Sequence, residues 1–326
     1  MKTKISLIIL IGFLLLSSCT TKKESDKLDI TQAFIGGNVG LNVFLLEGLP
    51  PPVVYDKGTY PFGVGVTIEN VGEGDVGPGT PNPFVRVRLE GINPTEFGTT
   101  DAAVVQDLAV PLRSAKRNFD GTILPGEVTT AVFEPLNYLP DLRGNHEFTI
   151  RADVCYDYTN LATAKICIKD EVLENIQDDS ICSLVGEKFP QNSGGPVQIT
   201  SLVENPLSDN KIQISFVLEH VGKGEFFGRD TNEICDFSVR NFNKYFIDVI
   251  IRPLAAPDLA VSCTRFGGTN QGRIKLFQGA PATIQCVVQR TGPSKRRIYQ
   301  EIMEIELRYR YGQFIETPIL IQDVTN

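Results

Sequence analysis

The sequence predicts an all-β protein, two β-sandwiches in tandem behind an N-terminal export signal, and three observations lead there. Short segments of alternating apolar and polar residues, broken by Gly, Pro and Asn clusters, recur without sustained 3.6-residue periodicity. The motif Glu69-Asn70-Val71-Gly72-Glu73-Gly74 returns as Glu219-His220-Val221-Gly222-Lys223-Gly224, with four of six positions identical. Six cysteines follow Cys19, an even number suited to disulfides in an exported chain.

The first element is residues 1–18. Met1-Lys2-Thr3-Lys4 supplies a charged start, the apolar run from Ile5 to Leu16 is too short to span a bilayer, and Leu16-Ser17-Ser18-Cys19 closes it. This segment resembles a prokaryotic lipoprotein signal peptide. The resemblance implies that Cys19 is lipidated, becomes the first residue of the mature chain, and holds an extracytoplasmic protein to the membrane. Residues 19–35 then read as a polar tether.

Two copies of one design follow, at residues 36–170 and 196–326, with 171–195 as the linker. In the first, Val64, Val66 and Ile68 alternate with Gly65 and Thr67 before the glycine motif; in the second, Ile212, Ile214, Phe216 and Leu218 do the same. The match runs to the end of each copy, where Tyr156, Tyr158, Ile166, Ile168 and Asp170 align with Tyr309, Tyr311, Ile319, Ile321 and Asp323 at a constant offset of 153. Seven strands are expected in copy one, near 40–47, 60–70, 83–90, 103–112, 127–134, 145–157 and 163–170, the last two joined by a turn at Thr159-Asn160-Leu161-Ala162. About seven strands in such a length is the pattern of an immunoglobulin-like sandwich, although the buried Trp of antibody domains is absent because the chain has no Trp.

The strand entering the first glycine motif, Phe84-Val85-Arg86-Val87-Arg88-Leu89 and Leu124-Pro125-Gly126-Glu127-Val128-Thr129-Thr130 resemble CARDB-type domains, the adhesion-related immunoglobulin-like modules of bacterial and archaeal surface proteins. The resemblance implies fold and surface habitat; that family has no shared catalytic residues to transfer.

Position along the repeats suggests the disulfides. Cys155 and Cys167 flank the expected turn and should pair across a hairpin; Cys263 and Cys286 fall on neighbouring strands; elimination leaves Cys182 with Cys235. The alternative leaves Cys182 or Cys235 free for an intermolecular bond or a metal.

Composition and motifs exclude several chemistries. A formal charge of −8 argues against nucleic acid, and Lys295-Arg296-Arg297 is too short a basic run to reverse that. No C-x-x-C occurs and only His146 and His220 are present, so no zinc site is expected, and no cofactor either. Gly72-Glu73-Gly74-Asp75-Val76-Gly77 spells G-x-G-x-x-G, but Pro78, Pro81 and Pro83 forbid the helix that phosphate binding needs. Glu73, Asp75, Asp178 and Asp179 lack regular calcium-ligand spacing and read as solvated loop carboxylates. No catalytic residues are assigned.

The unusual stretch is Gly224 to Tyr245, a long loop in which Phe226, Phe227, Phe237, Phe242 and Tyr245 stand beside Arg229 and Arg240. Aromatic and Arg side chains dominate binding hot spots, so these seven are the candidate contacts for a surface protein or glycan. The expectation is a non-enzymatic adhesion, scaffold or envelope-complex protein. An accessory carbohydrate- or peptide-binding module is the second reading, and a hydrolase with an unrecognised carboxylate site the third.

Overall fold

The computed structural model describes residues 33–173, 181–229, 235–292 and 298–324; the expected signal peptide and Cys19 lie outside the described residues. The first repeat contributes β1 (Leu41–Leu45), β2 (Val53–Tyr55), β3 (Phe62–Asn70), β4 (Val85–Glu90), β5 (Val105–Asp107), β6 (Lys116–Arg117), β7 (Ile123–Leu124), β8 (Val128–Leu136) and β9 (His146–Lys169). Between the repeats lie β10 (Gly186–Lys188) and β11 (Gln191–Asn192). The second repeat contributes β12 (Val197–Ser208), β13 (Lys211–His220), β14 (Glu225–Phe227), β15 (Phe246–Pro253), β16 (Leu259–Cys263), β17 (Gln271–Lys275), β18 (Ala282–Arg290) and β19 (Ile298–Gln322). The fold is all-β, and among the described residues no helix is long and apolar enough to cross a membrane.

The sheets reproduce the sequence repeat. One sheet runs β1-β3-β8, and its counterpart runs β12-β13-β18 with β10 and β16 added at the edges. The alternation read from the sequence faces one core: Val64, Val66 and Ile68 in β3 and Ile214, Phe216 and Leu218 in β13 are all fully buried. The third sheet is central and belongs to both repeats, in the order β17-β15-β19-β9-β4-β5. One hydrophobic cluster draws on all three sheets, an arrangement consistent with β-sandwich packing.

Where the sequence suggests two units separated by a linker, strands of the two repeats thus continue into one sheet. The linker is itself packed: Val172 and Leu184 are buried, and β10 and β11 pair with β12 and β9. The joint is the antiparallel ladder between β9 and β19, in which every residue of β9 has a partner, from His146 opposite Ile321 to Lys169 opposite Ile298.

This ladder corrects two expectations. Residues 145–157 and 163–170 are not separate strands joined by a turn. Thr159-Asn160-Leu161-Ala162 contains no Gly or Pro, and β19 offers each of these residues an extended partner, so pairing carries straight through. Cys155 and Cys167 therefore sit twelve residues apart on one strand, about 40 Å at the usual rise, and cannot bond. Instead Cys155 joins Cys235 and Cys167 joins Cys182, which also corrects the expected Cys182 to Cys235 bridge; Cys263 and Cys286 are bonded to each other across β16 and β18.

The ladder is symmetric about its middle. Tyr156 faces Tyr311 and Tyr158 faces Tyr309, so repeat-equivalent residues exchange places around a pseudo-two-fold axis between Asp157 and Arg310. Those two are themselves repeat-equivalent. Identical repeats would oppose like groups there; here Arg310 Nε donates to Asp157 Oδ1 at 2.9 Å, both side chains buried.

The tyrosines explain the glycine motif. Tyr158 Oη accepts the N–H groups of Glu73 (3.1 Å) and Gly74 (3.3 Å) and donates to Gly194 O (2.7 Å), while Tyr311 Oη accepts the N–H of Gly224 at 2.6 Å. Each turn closes over the hydroxyl so tightly that a Cβ at Gly72 would stand 1.9 Å from Tyr158 Oη, and one at Gly222 2.3 Å from Tyr311 Oη. Glycine is needed here for close approach, not for a phosphate.

Glu204 on β12 is fully buried. Its carboxylate accepts the N–H of Cys167 (3.0 Å) and pairs with Lys188 (3.1 Å), with Lys169 nearby. Burial nevertheless dominates and pushes its pKa from an ordinary 4.5 up to about 7.

Two outcomes follow from this packing. Gly72→Ala should cost several kcal/mol, at about the scale of an overpacked core, and Tyr158→Phe about 1–3 kcal/mol through its orphaned partners. Because the clash and the bonds share one oxygen, denaturant unfolding of the double variant should give clearly less than the sum, and strict additivity would refute the assignment. For Glu204, the folded state keeps a proton that the unfolded chain has released, so wild-type stability should fall as pH rises from about 4.5 to about 7. Melting temperatures of Glu204→Gln should lack that component of the slope.

Candidate partner-binding surface

Alternation along β14 decides the fate of the expected aromatic site. Phe226 points inward, its ring 5.1 Å from His220, 5.4 Å from Tyr245 and 6.3 Å from Tyr309, and is fully buried. Phe227 points to the other face, where it forms a small apolar cluster with Cys155 and Cys235, flanked by Phe84 and Phe237. Neither is available to a partner. Arg229 is likewise committed, its Nη2 donating to Pro81 O (2.8 Å) and lying 3.5 Å from Asp157 Oδ2. Tyr245 is half-buried against Phe226. These four belong to the framework, because a segment that crosses a sheet must bury what lies beneath it.

The rest of the stretch rises from that framework. Cys235 is bonded to Cys155, which stands opposite Gly312 in the central ladder. A Cβ at Gly312 would come within 2.8 Å of Cys235 Cβ, so the glycine lets the loop lie directly on the sheet. Phe237 follows, half-buried, with its ring edge-on to Phe227 at 5.9 Å and Phe314 at 5.8 Å, and the Arg151 guanidinium 5.0 Å from its centroid.

Beyond Phe237 the loop is tied to itself. Asp236 accepts Ser238 N (2.8 Å) and Ser238 Oγ (2.9 Å) on its carboxylate, and Asn241 Nδ2 on its carbonyl (2.8 Å). The backbone and hydroxyl donors of Ser238 hold the Asp236 carboxyl below its usual range. Asn241 Oδ1 accepts Asn243 N, and Lys244 Nζ reaches both Phe237 O (2.5 Å) and Glu225 (2.6 Å). An Asx-type lattice of this kind fixes backbone without using the outward side chains.

Those side chains are apolar and bare. Val239 is 99% exposed and Phe242 85%, with Arg240 exposed between them. A second loop, after β17, adds Phe277 at 77%. The two loops are joined by Lys275 Nζ donating to Phe242 O (3.1 Å) and Leu276 N donating to Tyr245 O (2.8 Å). Of the seven residues expected from sequence, the structure brings Arg240 and Phe242 to this surface; Val239 and Phe277 were missed. Val239 had a signal, an apolar residue between Phe237 and Phe242 in a stretch whose other members are Asp, Ser, Arg and Asn. Phe277 had none, since only the fold places it beside that stretch.

The outward face of the central sheet nearby is a field of ion pairs, across neighbouring strands for Arg86 with Asp107 (2.5 Å) and Arg273 with Asp248 (2.7 Å), and two residues apart along one strand for Arg151 with Asp153 (2.5 Å) and Arg308 with Glu306 (2.6 Å). Such partly exposed pairs contribute up to about 1 kcal/mol each and keep the face wet. Among the described residues no group of three or more His, Cys, Asp or Glu could hold a metal ion. Asp178 and Asp179 lie outside the described residues, while Asp75 and Glu73 are occupied by protein donors. His146 is exposed at the start of β9; His220 is part-buried 3.2 Å from Tyr311 Oη, with burial lowering its pKa.

The Cys155 to Cys235 bond closes 80 residues of chain, worth about 4–5 kcal/mol in the chain-entropy account. The double variant Cys155→Ser/Cys235→Ser should lower the melting temperature and speed proteolytic cleavage between 235 and 245. Unchanged cleavage there would show that the Asx lattice alone holds the loop.

No protein-family model matches the chain, and no curated protein matches it.

Proposed function

We propose that this protein is a lipid-anchored, extracytoplasmic binding protein without catalytic activity, built of two immunoglobulin-like, CARDB-type repeats and serving adhesion, scaffolding or an envelope complex. The observation that carries the reading is the disulfide-pinned loop that holds Val239 and Phe242, with Phe277 beside them, in water. Folding gains nothing from these exposed groups, and ordering the loop costs entropy that the disulfide and the Asp236 lattice offset. A surface organised before its partner arrives loses less freedom on binding, and aromatic side chains beside Arg are the chemistry of protein hot spots.

Three disulfides support an oxidising compartment. The signal segment supports attachment through Cys19. Stable anchoring then needs no spanning helix, since two acyl chains suffice.

The anchor and the surface are tested apart. Cys19→Ser should move the protein from the membrane pellet to the soluble fraction, and unchanged partitioning would refute lipidation. Val239→Ser/Phe242→Ser/Phe277→Ser should keep the wild-type melting temperature, because exposed sites move stability by about 0.5 kcal/mol or less. It should lose the partner captured by cross-linking on intact envelopes; an identical cross-linking pattern would sink the proposed surface.

A further inference from the structure

A second site lies where the repeats meet, separate from the loop surface. A cleft of about 620 Å³ is walled on one side by the first glycine turn and the Ser114–Arg117 segment, floored by Thr159 and Leu161 of β9, and closed on the other by Arg252 and Glu306. That volume falls in the range of small-molecule sites.

Its charges are unevenly spent. The Glu73 carboxylate accepts three backbone N–H groups, from Ile35 (2.8 Å), Gly36 (2.9 Å) and Gly194 (2.7 Å). Asp75 accepts Ser114 N and Oγ, both at 2.8 Å, and Arg113 Nη1 at 3.0 Å. Burial alone would raise the Asp75 pKa, but these donors, helped by Lys116, hold it below the usual carboxylate range. Glu306 is held by Arg252 (3.0 Å) and Arg308 (2.6 Å). Every carboxylate in the cleft is therefore committed to the protein.

Two cations are not. Among the described residues neither Lys116 nor Arg117 has an ion-pair partner within 4.0 Å. Arg117 Nε is buried without a hydrogen-bond acceptor, and Nη2 reaches only Phe34 O at 3.5 Å. Lys and Arg can only donate, so what is missing is an acceptor group; Arg117 lines the cleft, and a planar guanidinium beside a lysine is the donor set that meets a carboxylate. The space is too large for a lone ion, and the half-buried Phe34 and Leu161 add apolar surface of the kind that meets the CH face of a sugar ring.

We propose that this cleft binds a carboxylate-bearing saccharide, with Arg117 and Lys116 on the carboxylate and Phe34 and Leu161 against the ring. The site draws on both repeats, so a ligand there would bridge them. It stands or falls independently of the Val239/Phe242/Phe277 surface.

Titration calorimetry on the detergent-solubilised full chain tests it with trigalacturonate, neutral maltotriose and inorganic phosphate. Trigalacturonate should bind saturably, weaken with salt, and lose about tenfold or more in affinity in Arg117→Gln and in Lys116→Gln, the loss of one charged hydrogen bond. Lys223→Gln, a cation outside the cleft, should bind as wild type, and maltotriose should not bind. If Arg117→Gln lowers the melting temperature, the exposed Lys116→Gln carries the comparison. No saturable trigalacturonate binding, equal affinity for maltotriose, affinity unchanged in the cleft variants, or phosphate bound as tightly would each overturn the proposal.

Discussion

Everything in this molecule hangs from the antiparallel ladder between β9 and β19. A ladder spanning all of β9 satisfies the backbone of the last strand of each repeat along its length, so neither is left as a sheet edge open to association. Its pseudo-symmetry places four tyrosines together at the centre, all buried, with ring centroids 5.7 to 6.3 Å apart. At the axis itself the repeats have diverged, and Asp157 meets Arg310. A buried pair of this kind contributes little over an apolar one, yet losing either partner strands a charge, so the two positions must change together.

From the tyrosines the order passes outward. The hydroxyls of Tyr158 and Tyr311 are each grasped by the glycine turn of their own repeat, which sets where β3 and β13 end relative to the central sheet. Divergence inside that motif then separates the repeats. Glu73 clasps the backbone of 35–36 and of 194, tying the entry of both repeats to one carboxylate, whereas Lys223 at the equivalent position remains exposed. The same turn thus became a clasp in one copy and left a solvent-facing cation in the other.

Covalent staples reinforce what the ladder begins. Cys155 and Cys167 lie on the shared strand and reach out to Cys235 and Cys182, so two of the three bridges fasten later segments to the end of the first repeat. The loop beyond Cys235 can then expose apolar side chains without collapsing onto the body. Its position is set by bonds that do not involve those side chains.

Much was legible beforehand. Alternation and the glycine motif identified an all-β chain, its internal duplication and most strand cores, because period-two burial and close-approach glycines are local properties of sequence. Position along the repeat also led to Cys263 with Cys286. What could not be read was pairing between distant segments. That β9 runs unbroken through Asn160 depends on a partner some 150 residues away in sequence, and this long pairing reassigned two disulfides. Phe226 and Phe227 look as good for binding as Phe242 in a list of aromatics; only the sheet beneath them, and the crossing that buries one on each face, separates core from contact. Sequence alone determined the local periodicities and the chemistry on offer. Tertiary structure decided which of those groups meet, since burial and strand registry are properties of where remote segments come together.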